Sequence, residues 1–218
     1  MKGMDMNHDF SERRVVVTGA AGGLGAATVR AFLSEGARVT AIDVNDFDPI
    51  ALFGDRGSTV DVVTADVSDE RAVELAVAES GRHGPVTDLV NIAGIGSTTS
   101  AIDTPVDVWD RVLSVNARGT FLMSKHVLPT MIERGAGSIV NVASIAGLVG
   151  LKERVAYAAS KGAIIAMTRA MAADHGADGV RVNCVCPGTI DTPWLGRIVE
   201  KGSEWLDAVV ARQIIGRP

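Results

Sequence analysis

The chain has 218 residues and a net charge of −5, 21 Lys plus Arg against 26 Asp plus Glu, with no basic stripe to hold nucleic acid. Apolar residues make up 47% and aromatics only 4%, so Ala, Val, Ile and Leu supply a core large enough to exclude a disordered or disulfide-stapled chain. No apolar run approaches the ~18 residues of a membrane helix, and the opening MKGMDMNHDF lacks a signal-peptide core.

The expectation is therefore a cytoplasmic protein with no membrane or nucleic-acid partner, a mobile tail over 1–12 and one domain over 13–218. RRVVVT (13–18) is β-branched and reads as a buried strand, and 24–36 as a helix closed by a glycine cap. Between them stands TGAAGGLG, with Gly19, Gly23 and Gly25 spaced for a tight turn. Such a loop between a first strand and a first helix lets the backbone approach a pyrophosphate, and the helix N-terminus complements its charge. The loop residues Gly19, Gly22, Gly23, Leu24 and Gly25 are the cofactor candidates here.

ARVTAID (37–43) is the second strand. It ends on Asp43, where a carboxylate would accept both hydroxyls of an adenosine ribose and repel a 2′-phosphate. No Arg or Lys stands at 20–22, and Val44 follows, so NAD is expected over NADP; a solvated strand-end aspartate is the plain alternative. A third strand over 60–66 brings Asp66 and Val67 to an adenine edge. The helix over 68–80 takes Ser68 as its N-cap.

The fourth strand, 87–94, ends in Asn91, Ile92, Ala93 and Gly94, small enough after Asn91 to let a cofactor pass. Two helices follow, around 105–116 and 117–134, then a fifth strand over 137–144, a long helix over 155–177 and a sixth strand over 180–186. Strand–helix alternation without a domain-sized break specifies an α/β fold, a doubly wound parallel sheet of Rossmann type with helices on both faces. Cys184 and Cys186, the only cysteines, alternate on the sixth strand and read as buried, reduced thiols. Neither they nor the four histidines have metal-ligand spacing, so no metal is expected.

Three residues carry the chemistry. Ser144 closes the fifth strand, Tyr157 stands 13 residues later, and Lys161 lies four beyond it, on the same helix face. A phenol with a pKa of ~10 is a poor base at neutral pH. A nearby ammonium would favour the phenolate, and the serine would hydrogen-bond the reacting oxygen.

In order and spacing, TGAAGGLG, Asp43, Asp66-Val67, NIAG, Asn116 in NARGTF, Ser144, YAASK and PGTIDTP (187–193) resemble the short-chain dehydrogenase/reductase family. The resemblance implies Tyr157 as general acid/base, Ser144 as oxygen binder, Asn116 in a water-linked proton relay, and Lys161 also on the nicotinamide ribose. It implies that Pro187, Gly188, Thr189, Ile190 and Thr192 lie along the nicotinamide, that the segment after Pro193 folds over the substrate, and that the chain forms a homo-oligomer, tetramer or dimer. Two positions depart from the pattern: Ile92 replaces a second asparagine, and Ala143 a serine. The sequence also stops at Pro218, before the family's seventh strand, so that strand is expected to be missing and the end incomplete.

The substrate is expected to be a small alcohol or ketone. Arg154, Trp194 and Arg197 are the candidates to hold a polar or acidic one. A non-catalytic NAD-binding scaffold and a Rossmann-like methyltransferase are competing readings; the serine, tyrosine and lysine have no task in the latter.

Overall fold

Val15 and Val17 turn to one side of the first strand and Val16 to the other, and all three are buried. A strand apolar on both faces must be covered on both, and the computed structural model, which describes residues 10–192, shows that arrangement. Six strands, β1 (Arg14–Thr18), β2 (Arg38–Asp43), β3 (Asp61–Thr64), β4 (Asp88–Asn91), β5 (Gly137–Val142) and β6 (Val180–Val185), form one sheet in the order β3-β2-β1-β4-β5-β6. Every pairing is parallel.

The helices are α1 (Gly23–Ser34), α2 (Pro49–Phe53), α3 (Glu70–Ser80), α4 (Val106–Leu113), α5 (Gly119–Glu133) and α6 (Val155–His175). On one face Val16, Ile42, Leu89, Ile139 and Val182 pack with Val73 of α3, with Leu122, Met123, Val127 and Met131 of α5, and with Met171 of α6. On the other, Val15, Val17, Val39 and Ala41 pack with Ala26, Val29 and Leu33 of α1 and Phe53 of α2. This is the doubly wound α/β fold the sequence specifies. The expected tail up to residue 9, the segment after Pro193 expected to cover the substrate, and the region on which the expectation about a seventh strand bears all lie outside the described residues.

Register fixes where the strands stop. Thr18 pairs with Ile42 and Asn91, Asn91 with Asn141, Asp43 with Thr64, and Val142 with Val185. Their carboxyl ends therefore form a level row, and the strand order reverses between β1 and β4. In open α/β sheets that crevice is where ligands bind.

Three local expectations need correction. Asp69, not Ser68, caps α3: its carboxylate accepts from Ala72 N at 2.8 Å, because Ser68 is already committed to Asp66. The two helices around 105–134 are one run interrupted by a π turn, Ser114–Arg118, in which Gly119 N reaches Ser114 O. Cys184 and Cys186 are half-buried rather than buried, since β6 is a sheet edge among the described strands. The short turns at 49–59 and 145–147 carry no long-range periodicity, and so leave no signal in the sequence.

Leu89 is fully buried in β4, so Leu89→Ala is expected to cost about 2–5 kcal/mol in urea unfolding. Leu75→Ala on the exposed side of α3 should change stability by less than ~0.5 kcal/mol. Equal losses at both positions would contradict the two-sided core.

Candidate active site

The glycine loop is shaped by close approaches. Gly19 has φ +68°, and a Cβ there would stand 2.9 Å from the Ala93 backbone; at Gly25 it would fall 2.0 Å from Gly19 O. Gly22 N donates to Gly19 O at 3.1 Å and closes the turn. Gly22 supplies no side-chain cap to α1, so the first turn, Gly23, Leu24 and Gly25, presents backbone N–H groups outward.

Asp43 sits beside that loop, 8% exposed. Its Oδ2 accepts from Ala21 N at 3.0 Å, and its Oδ1 from Asn45 N at 3.0 Å and Asn45 Nδ2 at 3.2 Å. The carboxylate thus braces the loop before any ligand arrives; each of its oxygens offers two lone pairs, so Oδ2 keeps one free. Asp66 is similarly held. Burial pushes its pKa up, but hydrogen bonds from Ser68 and Arg111 outweigh burial and leave it below the ordinary value. Val67 packs into the core, against Gly119, and only its backbone is left to face a ligand.

At the end of β4, Thr18 Oγ1 accepts from Ile92 N at 3.1 Å and Ala93 N at 3.2 Å, which ties the strand end to β1. The Asn91 side chain is turned into the protein. Its Nδ2 donates to Asn141 Oδ1 at 2.9 Å and to Ser124 Oγ at 3.3 Å, while its buried Oδ1 has no partner. Gly94 lies against Asn116 Oδ1 and Lys161 Nζ, where a Cβ would be 3.2 and 3.5 Å away. The cradle is thus open where a flat ring would pass.

Ser144 stands beside Tyr157, close enough to bear on its ionisation. Ser144 Oγ accepts from Ala146 N at 3.1 Å, so its hydroxyl proton is free to donate outward. Lys161, 4% exposed, donates to Val142 O at 2.8 Å and stands 5.7 Å from the Tyr157 ring centroid. Burial brings its pKa down to about 8. The expected lowering of the phenol by this lysine is not the net effect. Burial raises Tyr157 above its ordinary value, and the opposing influences are the Ser144 hydrogen bond and the Arg154 charge.

Arg154 precedes α6 directly, after Glu153, whose φ of +56° is left-handed. Its Nη1 donates to Ser97 O at 2.8 Å, which joins the loop after β4 to the segment that carries Tyr157. Asn116, fully buried in the π turn, grips the same loop: Oδ1 accepts from Ile95 N at 2.8 Å and Nδ2 donates to Ile95 O at 2.9 Å. Pro187 O accepts from Ile145 N at 2.9 Å, so the loop holding Gly188, Thr189, Ile190 and Thr192 begins beside Ser144. Trp194 and Arg197 lie outside the described residues.

Sequence reasoning missed three supporting groups. Ser160 accepts from Asn116 Nδ2 at 2.9 Å and donates to Tyr157 O at 2.7 Å; its place beside Lys161 was the available signal. Arg111 and Thr18 act across the sheet, and nothing local marks them.

The short chain dehydrogenase family profile matches residues 13–202. The chain is 39% identical over 217 residues, 98% of it and 85% of the relative, to 2-(S)-hydroxypropyl-CoM dehydrogenase 3 of Xanthobacter autotrophicus. It is 45% identical over 169 residues, 77% of it and 74% of the relative, to a protein of the same organism named inactive 2-(S)-hydroxypropyl-CoM dehydrogenase 2. Among solved structures, a single-substitution variant of actinorhodin polyketide ketoreductase with NADPH superposes with a TM-score of 0.88 at 32% identity, covering 95% of this chain and 85% of that one.

A lysine whose pKa falls from 10.5 to about 8 on folding destabilises the fold wherever it stays protonated. The cost is fully present below pH 8 and fades as pH rises toward 10.5. Lys161→Met is therefore expected to raise stability at pH 7 by about 1–3 kcal/mol, with the gain shrinking above pH 8. A variant no more stable than its parent in urea at pH 7 would show that the bond to Val142 offsets the burial cost.

Proposed function

The chain belongs to the short-chain dehydrogenase family, and from that premise we propose an NAD-dependent oxidoreductase that exchanges hydride with a secondary alcohol or the matching ketone. The observation that carries this reading is the placement of Ser144 beside Tyr157, with the Lys161 ammonium anchored at Val142 O and 5.7 Å from the Tyr157 ring centroid. The residues present fit a dinucleotide. The Gly19–Gly25 turn leaves no room for a Cβ at Gly19 or Gly25, Asp43 keeps a lone pair at the end of β2, and Gly94 lies against Asn116 and Lys161 with no side chain of its own.

Bound there, the nicotinamide supplies the hydride acceptor or donor. In alcohol oxidation Tyr157 Oη takes the hydroxyl proton, and in ketone reduction it returns one to the carbonyl oxygen. Ser144 donates its remaining proton to that oxygen and fixes it beside the phenol. A phenol raised by burial needs positive charge nearby to give up its proton. Arg154 and Lys161 supply it, and Lys161 also holds the nicotinamide ribose. The Asn116 side chain is held by Ile95 and Ser160 with one Oδ1 lone pair unspent, and its main-chain oxygen accepts from Thr120 Oγ1 at 2.8 Å, which fixes it beside Gly94 and Lys161 for its part in a water-linked relay.

Asp43 favours NAD, because a buried carboxylate repels a 2′-phosphate and no cation flanks it at 20–22. Val67, Ala93, Pro187, Gly188, Ile190 and Thr192 would line the cofactor by backbone or small apolar surface. Exposed apolar side chains at Ile102, Val106, Trp109 and Phe121 support a homo-oligomer, a dimer or tetramer. A second reading, an NAD-binding scaffold without turnover, is favoured by the relative whose name calls it inactive.

The deciding experiment offers NAD or NADP with a panel of hydroxyalkyl thioethers, polyols and hydroxy acids, and follows reduced cofactor by absorbance. NAD should support turnover better than NADP. Tyr157→Phe should lose at least ~100-fold in kcat while its NAD affinity stays unchanged. Undiminished turnover in that variant would sink the mechanism, and a parent that binds NAD but oxidises nothing would favour the scaffold.

Arg154 touches Ser97 O through one nitrogen and leaves most of its guanidinium donors for a ligand. We expect an acidic substituent on the substrate to pair with it. Arg154→Ala should then raise KM for acidic alcohols ~10-fold or more, with little change for neutral ones. An equal effect on both classes would assign Arg154 to Tyr157 and the Ser97 loop alone.

A further inference from the structure

The chain holds only two cysteines, and the proposed reaction uses neither. Cys184 lies in β6 and Cys186 just beyond it. Val185 between them pairs with Val142, the residue whose carbonyl accepts the Lys161 ammonium. Two-residue periodicity turns both sulfurs to the face that α6 covers, and both pack there with Ala143, Ile164 and Ile165. Cys184 Sγ donates to Val185 O at 3.8 Å, and both thiols lie within electrostatic reach of each other and of Lys161. Each is half-buried, so a small reagent reaches them.

This geometry is poor for a disulfide. An S–S bond needs about 2.05 Å between sulfurs and α-carbons no more than ~6.8 Å apart, and alternate residues of an extended strand sit at that limit. A single bridging atom bonded to both sulfurs spans a wider gap than an S–S bond, and so suits two side chains on one face of a strand end. We propose that Cys184 and Cys186 form a dithiol site for a trivalent arsenical, bridged by one arsenic atom beside Lys161, and that filling the site stops turnover. The step is a condensation without oxidation. An oxo-arsenical and two thiols form two As–S bonds, and the As–O bond and both S–H bonds break as one water leaves. Burial and the neighbouring Cys186 push the Cys184 thiol pKa up, which disfavours one-point alkylation and leaves two-point capture as the effective route.

Phenylarsine oxide, with intact-mass measurement on the whole chain, tests the binding. The parent should gain the mass of one phenylarsine oxide less one water, resist stripping by excess monothiol and release the group to a dithiol. Cys184→Ala and Cys186→Ala should each lose the monothiol-resistant adduct. An adduct that either single variant retains against monothiol, or that monothiol strips from the parent, would overturn the site. The inhibitory half rests on the reading of Lys161 in the proposed reaction. Turnover should fall in proportion to the adduct and return with dithiol, whereas full turnover by modified protein would overturn it. A parent inactive before treatment counts against the oxidoreductase reading alone, since the mass result stands without it.

Discussion

A charged ammonium nearly closed off from water must find an acceptor or lose its proton, and Lys161 has one acceptor, the Val142 carbonyl. That single bond ties together much of the site. It requires β5 to end at Val142 with its carbonyl turned out of the ladder, which the register with β6 arranges. It requires α6 to begin close enough that a side chain 19 positions on returns to the strand end. Ser144, two residues past Val142, then has no choice but to lie beside Tyr157, one helical turn before Lys161. The triad is less three separate placements than one consequence of where a buried charge is satisfied.

The same economy holds the far side of the crevice. Asn116 spends both polar atoms of its side chain on Ile95 and shares one with Ser160, so the loop after β4, the π turn and α6 are locked to one another. A regular α-helix through 106–133 would carry its side chains round by a different angle. The π turn at Ser114–Arg118 adds the residue that aims Asn116 inward, which is the use such bulges find at functional sites. Arg154 adds a second tie to this loop at Ser97. Rigid support of this kind keeps reacting groups within the small tolerance that proton transfer demands.

The sheet, its parallel pairing and its carboxyl-end crevice were legible because they follow from alternation and strand length. Val15, Val16 and Val17 alone announce a strand buried on both faces. That Tyr157 and Lys161 come close on α6 was legible because helical spacing is arithmetic. What the sequence concealed is of another kind. Ser68 looks like a cap until Asp66 claims it, and only then does Asp69 take over. Asn91 sits where a cofactor contact is expected, yet its amide faces Asn141 and Ser124, partners 50 and 33 residues away. The sign of the Tyr157 shift is hidden for the same reason. Burial is a property of the assembled fold, and a neighbour four residues away in sequence does not reveal it.

The upward shift of Tyr157 also has a constructive side. A phenol that gave up its proton readily to bulk water would be a free base before any alcohol arrived. Burial keeps it protonated, while Ser144 and Arg154 hold the means of ionising it close by. The lysine moves the opposite way, down to about 8, so the two groups are brought out of the order they keep in water. The ammonium is now the readier of the two to release a proton. Desolvation, which opposes each charge taken singly, is thus the force that sets how the pair shares protons.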